Sequence, residues 1–175
     1  MKSLLGTLFA LSLVLSGARI SGQQPTRLTG PSGEGRHIPP SFTLPDLDGK
    51  VVKSTDLKSR VFILDFWATW CVPCIAEIPM FNRLHENYAR RGLRLVGVAV
   101  QSGWVKDVKP HVTRHKMKYT VLIGNDETVE DFNVIAFPTT YVVSQDWKVY
   151  KKYIGATPGK EAKLQQDLES LLAHP

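Results

Sequence analysis

The spacing of apolar and polar residues changes character several times along the chain. Leu4–Leu15 is one short, unbroken apolar run apart from small polar residues. Residues 19–39 are rich in Gly, Ser, Pro and Gln and show no periodicity, which predicts a linker or flexible arm. From Pro40 a folded pattern begins. "SFTLPDLDGKVVKS" alternates around Asp48-Gly49 and predicts a β-hairpin. Thr55–Lys58 fits a short helical turn. Arg60–Ala68, "RVFILDFWA", is a near-continuous β-branched and aromatic run, the mark of a strand buried on both faces.

Cys71–Arg91 then takes helical spacing, with Ile75, Ile78, Phe81, Leu84 and Tyr88 near one face. Pro79 is expected to kink that helix and Gly92 to stop it. Leu93–Val100 reads as a second buried strand and "GWVKDVKPHVTRHKM" as a helix that Pro110 either breaks or restarts. "YTVLIG" is a third strand, and Asn125 is placed to cap a helix through Phe132. "TTYVVSQDWKVYKKYIG" predicts a hairpin turning near Gln145-Asp146. A closing helix follows, with Thr157 as cap, Pro158 at the first helical position, and a stripe of Leu164, Leu168, Leu171 and Leu172. Strands alternate with helices before a hairpin and a last helix, so the fold class is α/β with a mixed sheet flanked by helices.

Composition narrows the class. The 175 residues are 43% hydrophobic, enough for one domain with a core of its own, and no internal repeat is present. The net charge of +6 is spread out, and its only tight pairs are Arg90-Arg91 and Lys151-Lys152. A solvated basic surface accounts for it without a nucleic-acid partner. Lys2, the apolar run and the small residues Ser16–Ala18 have the layout of a bacterial export signal, residues 1–18, with cleavage after Ala18 or after Gly22. An uncleaved anchor is the alternative, although the run falls short of the ~20 residues of a membrane span. The expected organisation is a signal, a linker over 19–39 and one domain over 40–175, delivered to the periplasm or the outer face of the membrane. That compartment permits disulfides.

Only two cysteines are present, in "TWCVPC". A bond between Cys71 and Cys74 closes too small a loop to restrict the unfolded chain much, so a structural staple is a poor explanation. Cys71 falls at the N-terminus of the predicted helix, where free amides and the helix dipole favour a thiolate. It is the natural attacking sulfur, and Cys74, one turn in, is the resolving one. Pro73 stiffens the loop and withholds an amide donor; with Val72 it should tune the pair's potential and choice of partner. A sheltered resolving thiol needs a base. Glu77 shares a helix face with Cys74. Asp65 interrupts the apolar strand on the face of Ile63 and Trp67, where burial would raise its pKa toward neutrality. The alternative for Glu77 is an ordinary solvated helix residue.

"ILDFWATWCVPCIAEIPM" resembles the active-site stretch of the thioredoxin superfamily. The preceding hairpin, Glu77 in "CxxCxxE", a helix-strand insert at about 104–123 and "FPTTYVV" are similar to the TlpA/ResA-like exported thiol-disulfide oxidoreductases, over about residues 38–173. The resemblance implies a thioredoxin fold with an N-terminal hairpin. It implies a cis Pro138 facing the cysteines and exposing the Phe137 backbone to a substrate strand, and Trp70 flanking the exposed thiol to dock partners. The substrate-binding set is then Trp70, Val72, Pro73, Phe137 and Pro138; the catalytic set is Cys71, Cys74, Glu77 and Asp65. It also implies protein thiol or disulfide substrates, a membrane electron donor and a monomer. No dissociable cofactor is implied, since the dithiol carries two electrons. Two departures stand out. Phe137 is bulkier than the usual residue there, and Asp65 matches thioredoxin itself where several exported members are neutral.

Two other classes are open. A peroxiredoxin-like peroxidase shares the hairpin and core but would want a Pro-x-x-x-Thr-x-x-Cys arrangement, and no proline precedes Thr69 at that spacing. A non-catalytic metal module would use both thiols as ligands. Asp107, His111 and His115 share a four-residue spacing that metal ligands can use, but Pro110 disturbs it and a solvated face is the simpler reading. Trp104 and Trp147 are expected to be packing or rim aromatics.

Overall fold

The structure, a computed structural model, describes residues 41–57 and 59–173. The expected signal and the whole linker lie outside the described residues. β1 (Thr43–Pro45) and β2 (Val51–Lys53) form the predicted hairpin, followed by a 3-10 turn over Ser54–Asp56. The turn is held by Asp46, whose carboxylate accepts from the amides of Asp48 and Lys50 at 2.9 Å each.

The chain then builds β3 (Val61–Trp67), α1 (Val72–Tyr88), β4 (Leu93–Ala99), α2 (Val105–Arg114), β5 (Thr120–Ile123), α3 (Asp126–Asp131), β6 (Thr139–Ser144), β7 (Val149–Ile154) and α4 (Lys160–Ala173). The five-stranded sheet has the order β5-β4-β3-β6-β7. β3, β4 and β5 run parallel, while β6 is antiparallel to β3 and β7 to β6. An antiparallel bridge between Asp46 and Leu122 seats the hairpin on the β5 edge. This is a thioredoxin-like fold with an added hairpin.

All seven residues of β3 are buried, as its unbroken apolar run predicts. Strand parity divides them between two cores. Val61, Ile63 and Trp67 pack with Phe81 and Leu84 of α1, Val108 of α2 and Leu164 and Leu168 of α4. Phe62, Leu64 and Phe66 pack on the other face with Phe42 and Leu44 of the hairpin side and Phe132 after α3. Asp65 shares the first face, the one covered by α1 and α4.

Several local expectations hold. Asn125 caps α3, its side chain accepting from the Thr128 amide at 2.9 Å. Gly92 takes φ 109° after a 3-10 turn over Ala89–Arg91 and ends the α1 region. Pro110, expected to break or restart its helix, does neither, since α2 is continuous through it, and α1 is likewise continuous through Pro79. One boundary differs. α4 starts at Lys160 rather than Pro158, because Gly159 sits at φ +73°, outside helical geometry. Pro158-Gly159 form a turn, and Thr157 contributes its carbonyl to the Lys160 amide at 3.2 Å.

Candidate active site

The end of β3 delivers the chain to α1 through a pinned loop. The Thr69 amide donates to Ser102 Oγ at 2.9 Å, and Ser102 Oγ donates to the Val100 carbonyl at 2.8 Å. Cys71 is the extended N-cap of α1, and its Sγ accepts from the Cys74 amide at 3.3 Å. Sulfur here does the work that a capping oxygen does elsewhere. Pro73 occupies the first turn, where its missing amide costs no helical bond. Cys71 and Cys74 form a disulfide of 2.03 Å. Both are buried, whereas Val72 between them is 78% exposed.

The rim is aromatic. Trp70 is 61% exposed, with Nε1 donating to the Gln101 carbonyl at 2.9 Å. Its ring meets half-buried Phe137 edge to face, centroids 5.8 Å apart. The Phe137-Pro138 bond is cis, as the resemblance implies. Thr139 Oγ1 donates to Ala136 at 2.7 Å and the Gly155 amide to Pro138 at 2.7 Å, which anchors this loop on both sides.

A buried charged cluster joins β3, α1 and α4, and its Glu77 follows Cys74 by three residues on α1. Asp65 stands opposite Gly97 on β4 and Thr140 on β6. Thr140 Oγ1 donates to its carboxylate at 2.8 Å. Burial pushes the Asp65 carboxyl up to about 7, against the charge of Lys160 and the Thr140 hydrogen bond, which pull it down. Glu77 is buried rather than solvated, and Lys160 Nζ donates to its Oε2 at 2.7 Å. Burial pushes Glu77 up as well, opposed by Lys160. Tyr119 borders the same cluster. Burial, followed by the charges of Asp65 and Glu77, drives its hydroxyl well above the usual tyrosine range. A groove of about 730 Å³ runs past Pro73, Ala76, Glu77 and Met80 on α1 and Ala156–Ala162 at the start of α4.

Among the expected site residues, Cys71 is bonded to Cys74 and Trp70 meets Phe137 on the rim, while Asp65 and Glu77 share a buried cluster. Lys160, Thr140 and Tyr119 are additions. Lys160 was legible in one respect, since it extends the stripe of Leu164, Leu168 and Leu172 by one four-residue step. The Asp107 carboxylate is occupied by the Trp104 amide at 2.9 Å, and His111 stacks on His115 with centroids 6.3 Å apart. Among the described residues no three His, Cys, Asp or Glu side chains converge as metal ligands do. Trp147 packs edge-on against Phe62 at 5.0 Å, while Trp104 is 57% exposed.

Chemically, this is a cysteine pair at a helix N-terminus, in a domain whose buried Asp65 carboxyl is raised to about 7. Comparison with known proteins agrees. The model of the AhpC/TSA family matches residues 35–152. The thiol-disulfide oxidoreductase ResA of Geobacillus thermodenitrificans is 33% identical over 133 residues, 75% of each chain. ResA of Bacillus cereus is 32% identical over 117 residues, 66% of this chain and 67% of that one. A crystal structure of a thiol:disulfide interchange protein of the thioredoxin family from Chlorobium tepidum superposes with a TM-score of 0.67 at 29% identity, covering 77% of this chain and 95% of that chain. The chain belongs to the AhpC/TSA family and, with the ResA proteins, to its thiol-disulfide oxidoreductases.

Proposed function

We propose that this oxidoreductase is an exported reductant of protein disulfides. The observation that carries the reading is the combination at α1: Cys71 at the helix N-cap between exposed Trp70 and Val72, with buried Cys74 and Glu77 three residues apart on the same helix. The Cys71 thiolate attacks a partner disulfide, forming a mixed disulfide and releasing one partner thiolate. Asp65, with Glu77 beside it, accepts the proton of Cys74. The Cys74 thiolate then attacks Cys71 Sγ, closing the intramolecular disulfide and releasing the second partner sulfur. Two electrons and two protons pass to the partner.

Trp70, Val72, Pro73, Phe137 and cis-Pro138 form the docking surface. Resemblance to ResA-type proteins favours haem-site cysteines of apocytochrome c, or a copper-site protein, as partners. It also favours a membrane protein as electron donor and a monomeric state. Export rests on the apolar run Leu4–Leu15 and the small residues after it. No helix among the described residues is long and apolar enough to cross a membrane.

The reduction potential against glutathione tests the direction of transfer. A reductant lies toward the thioredoxin value of about −270 mV, and a value near about −120 mV would make the protein an oxidant instead. Fractionation of the native host, with N-terminal sequencing of the mature chain, tests export and cleavage after Ala18 or Gly22.

A further inference from the structure

Lys160 breaks two local rules. An ammonium group is normally solvated, and a cation is disfavoured at a helix N-terminus. Yet Lys160 is the first residue of α4 and only 2% exposed. Its Nζ reaches Glu77 Oε2 at 2.7 Å and the Gly155 carbonyl at 3.5 Å, and lies 5.6 Å from the Phe81 ring centroid. A buried ion pair gains little stability over a well-packed apolar pair, because both charges lose their hydration. Where a sequence carries one against local preference, a functional cause is the economical explanation.

The groups around it supply that cause. Glu77 comes from α1, Asp65 from β3, Thr140 from β6 and Tyr119 from the segment before β5. Cys71 and Cys74 begin α1. Tyr153 of β7 donates to Asp167 at 2.5 Å, but Asp167 lies two turns along α4, about 10 Å from Lys160 by the rise of the helix. The cluster thus holds two carboxylates and one ammonium. Without the ammonium, two buried carboxylates would compete for a proton. With it, the Glu77 charge is matched, and one carboxyl is left to change state.

We propose that Lys160 is a positioning residue for the redox reaction: its ammonium charge, placed beside Asp65 and holding Glu77 as its partner, sets the protonation of Asp65, which becomes the carboxyl that carries the mobile proton. This rests on the reading that Asp65 relays the Cys74 proton. In that step the Asp65 carboxylate takes the proton from Cys74 Sγ. The Cys74 thiolate forms a bond to Cys71 Sγ, and the Cys71–partner bond breaks with its electron pair leaving on the partner sulfur.

The test follows the Asp65 carboxyl carbon by ¹³C NMR across pH in the oxidised protein, together with the pH profile of mixed-disulfide resolution. In Lys160→Met the Asp65 midpoint should rise by about one pH unit or more, a tenfold change in proton affinity, and Lys160→Arg should restore most of it. An unchanged midpoint in Lys160→Met overturns the proposal. If that variant does not fold, Glu77→Gln is compared with Glu77→Gln/Lys160→Met, neither of which leaves Glu77 charged and alone. A higher Asp65 midpoint in the double variant supports the proposal, and equal midpoints overturn it. If the midpoint moves while the resolution profile stays fixed, Lys160 governs Asp65 but Asp65 is not the relay.

Discussion

Thr140 donates a 2.8 Å hydrogen bond to Asp65 from directly across the β3–β6 ladder. That bond favours the ionised carboxylate, as does Lys160, yet burial outweighs both and holds the Asp65 carboxyl at about 7. Desolvation decides its state.

The first prediction concerns stability. The native Asp65 carboxyl holds its proton to about pH 7, whereas its ordinary value is 3.8. Native protein therefore binds more protons than unfolded chain between these values. The resulting stabilisation is complete below the lower value and is lost as pH rises through the upper one. Asp65→Asn removes this loss. Measured by urea unfolding, the stability of the variant relative to the parent should increase by up to about 3 kcal/mol from about pH 4.5 to about pH 8. A difference that is flat with pH would contradict it.

The two sulfurs should separate by function. Cys71→Ala should reduce insulin-disulfide turnover to the uncatalysed rate. Cys74→Ser should instead accumulate a mixed disulfide on Cys71, visible on a non-reducing gel and by mass. Trapping through residue 74 in Cys71→Ala would reverse the assignment.

Trp70 is exposed and, among the described residues, makes one hydrogen bond and one ring contact in the rim. Trp70→Ala should leave thermal stability within about 0.5 kcal/mol. It should raise KM for a protein disulfide about tenfold or more, as loss of an aromatic anchor does at other interfaces. Turnover of a small acyclic disulfide such as oxidised glutathione should change much less.

Gly97 has no left-handed backbone, yet its lack of a side chain matters. A Cβ there would meet Tyr119 Cε2 at 3.1 Å and Trp67 Nε1 at 3.2 Å. Gly97→Ala should cost about 1–3 kcal/mol by overpacking. Because Gly97 stands beside Asp65 in the ladder, the variant should also disturb the pH profile of resolution.

Much of this was legible in the sequence where one stretch of chain settles the matter. The run "VFILDFW" announces a strand paired on both sides, and the capping role of Asn125 follows from its place before a short helix. The cysteine spacing and its helix N-terminus mark the chemistry. What sequence did not show is brought together by the fold. Glu77 lies on the predicted face of α1, but its burial depends on α4, and its partner Lys160 is 83 residues away. The start of α4 was misplaced by two residues because Thr157-Pro158 looks like a cap and first turn. The left-handed φ of Gly159 delays the helix, and that delay makes Lys160 its first residue.

β3 has a hydrogen-bonded neighbour on each side, β4 and β6, and no solvent-facing residue. Amides in such a central strand exchange with deuterium only when the whole domain opens. Asp65 is therefore mounted on the slowest-exchanging part of the molecule. The exposed rim meets partners, while the Asp65 carboxyl stays at fixed depth and register for as long as the domain remains folded.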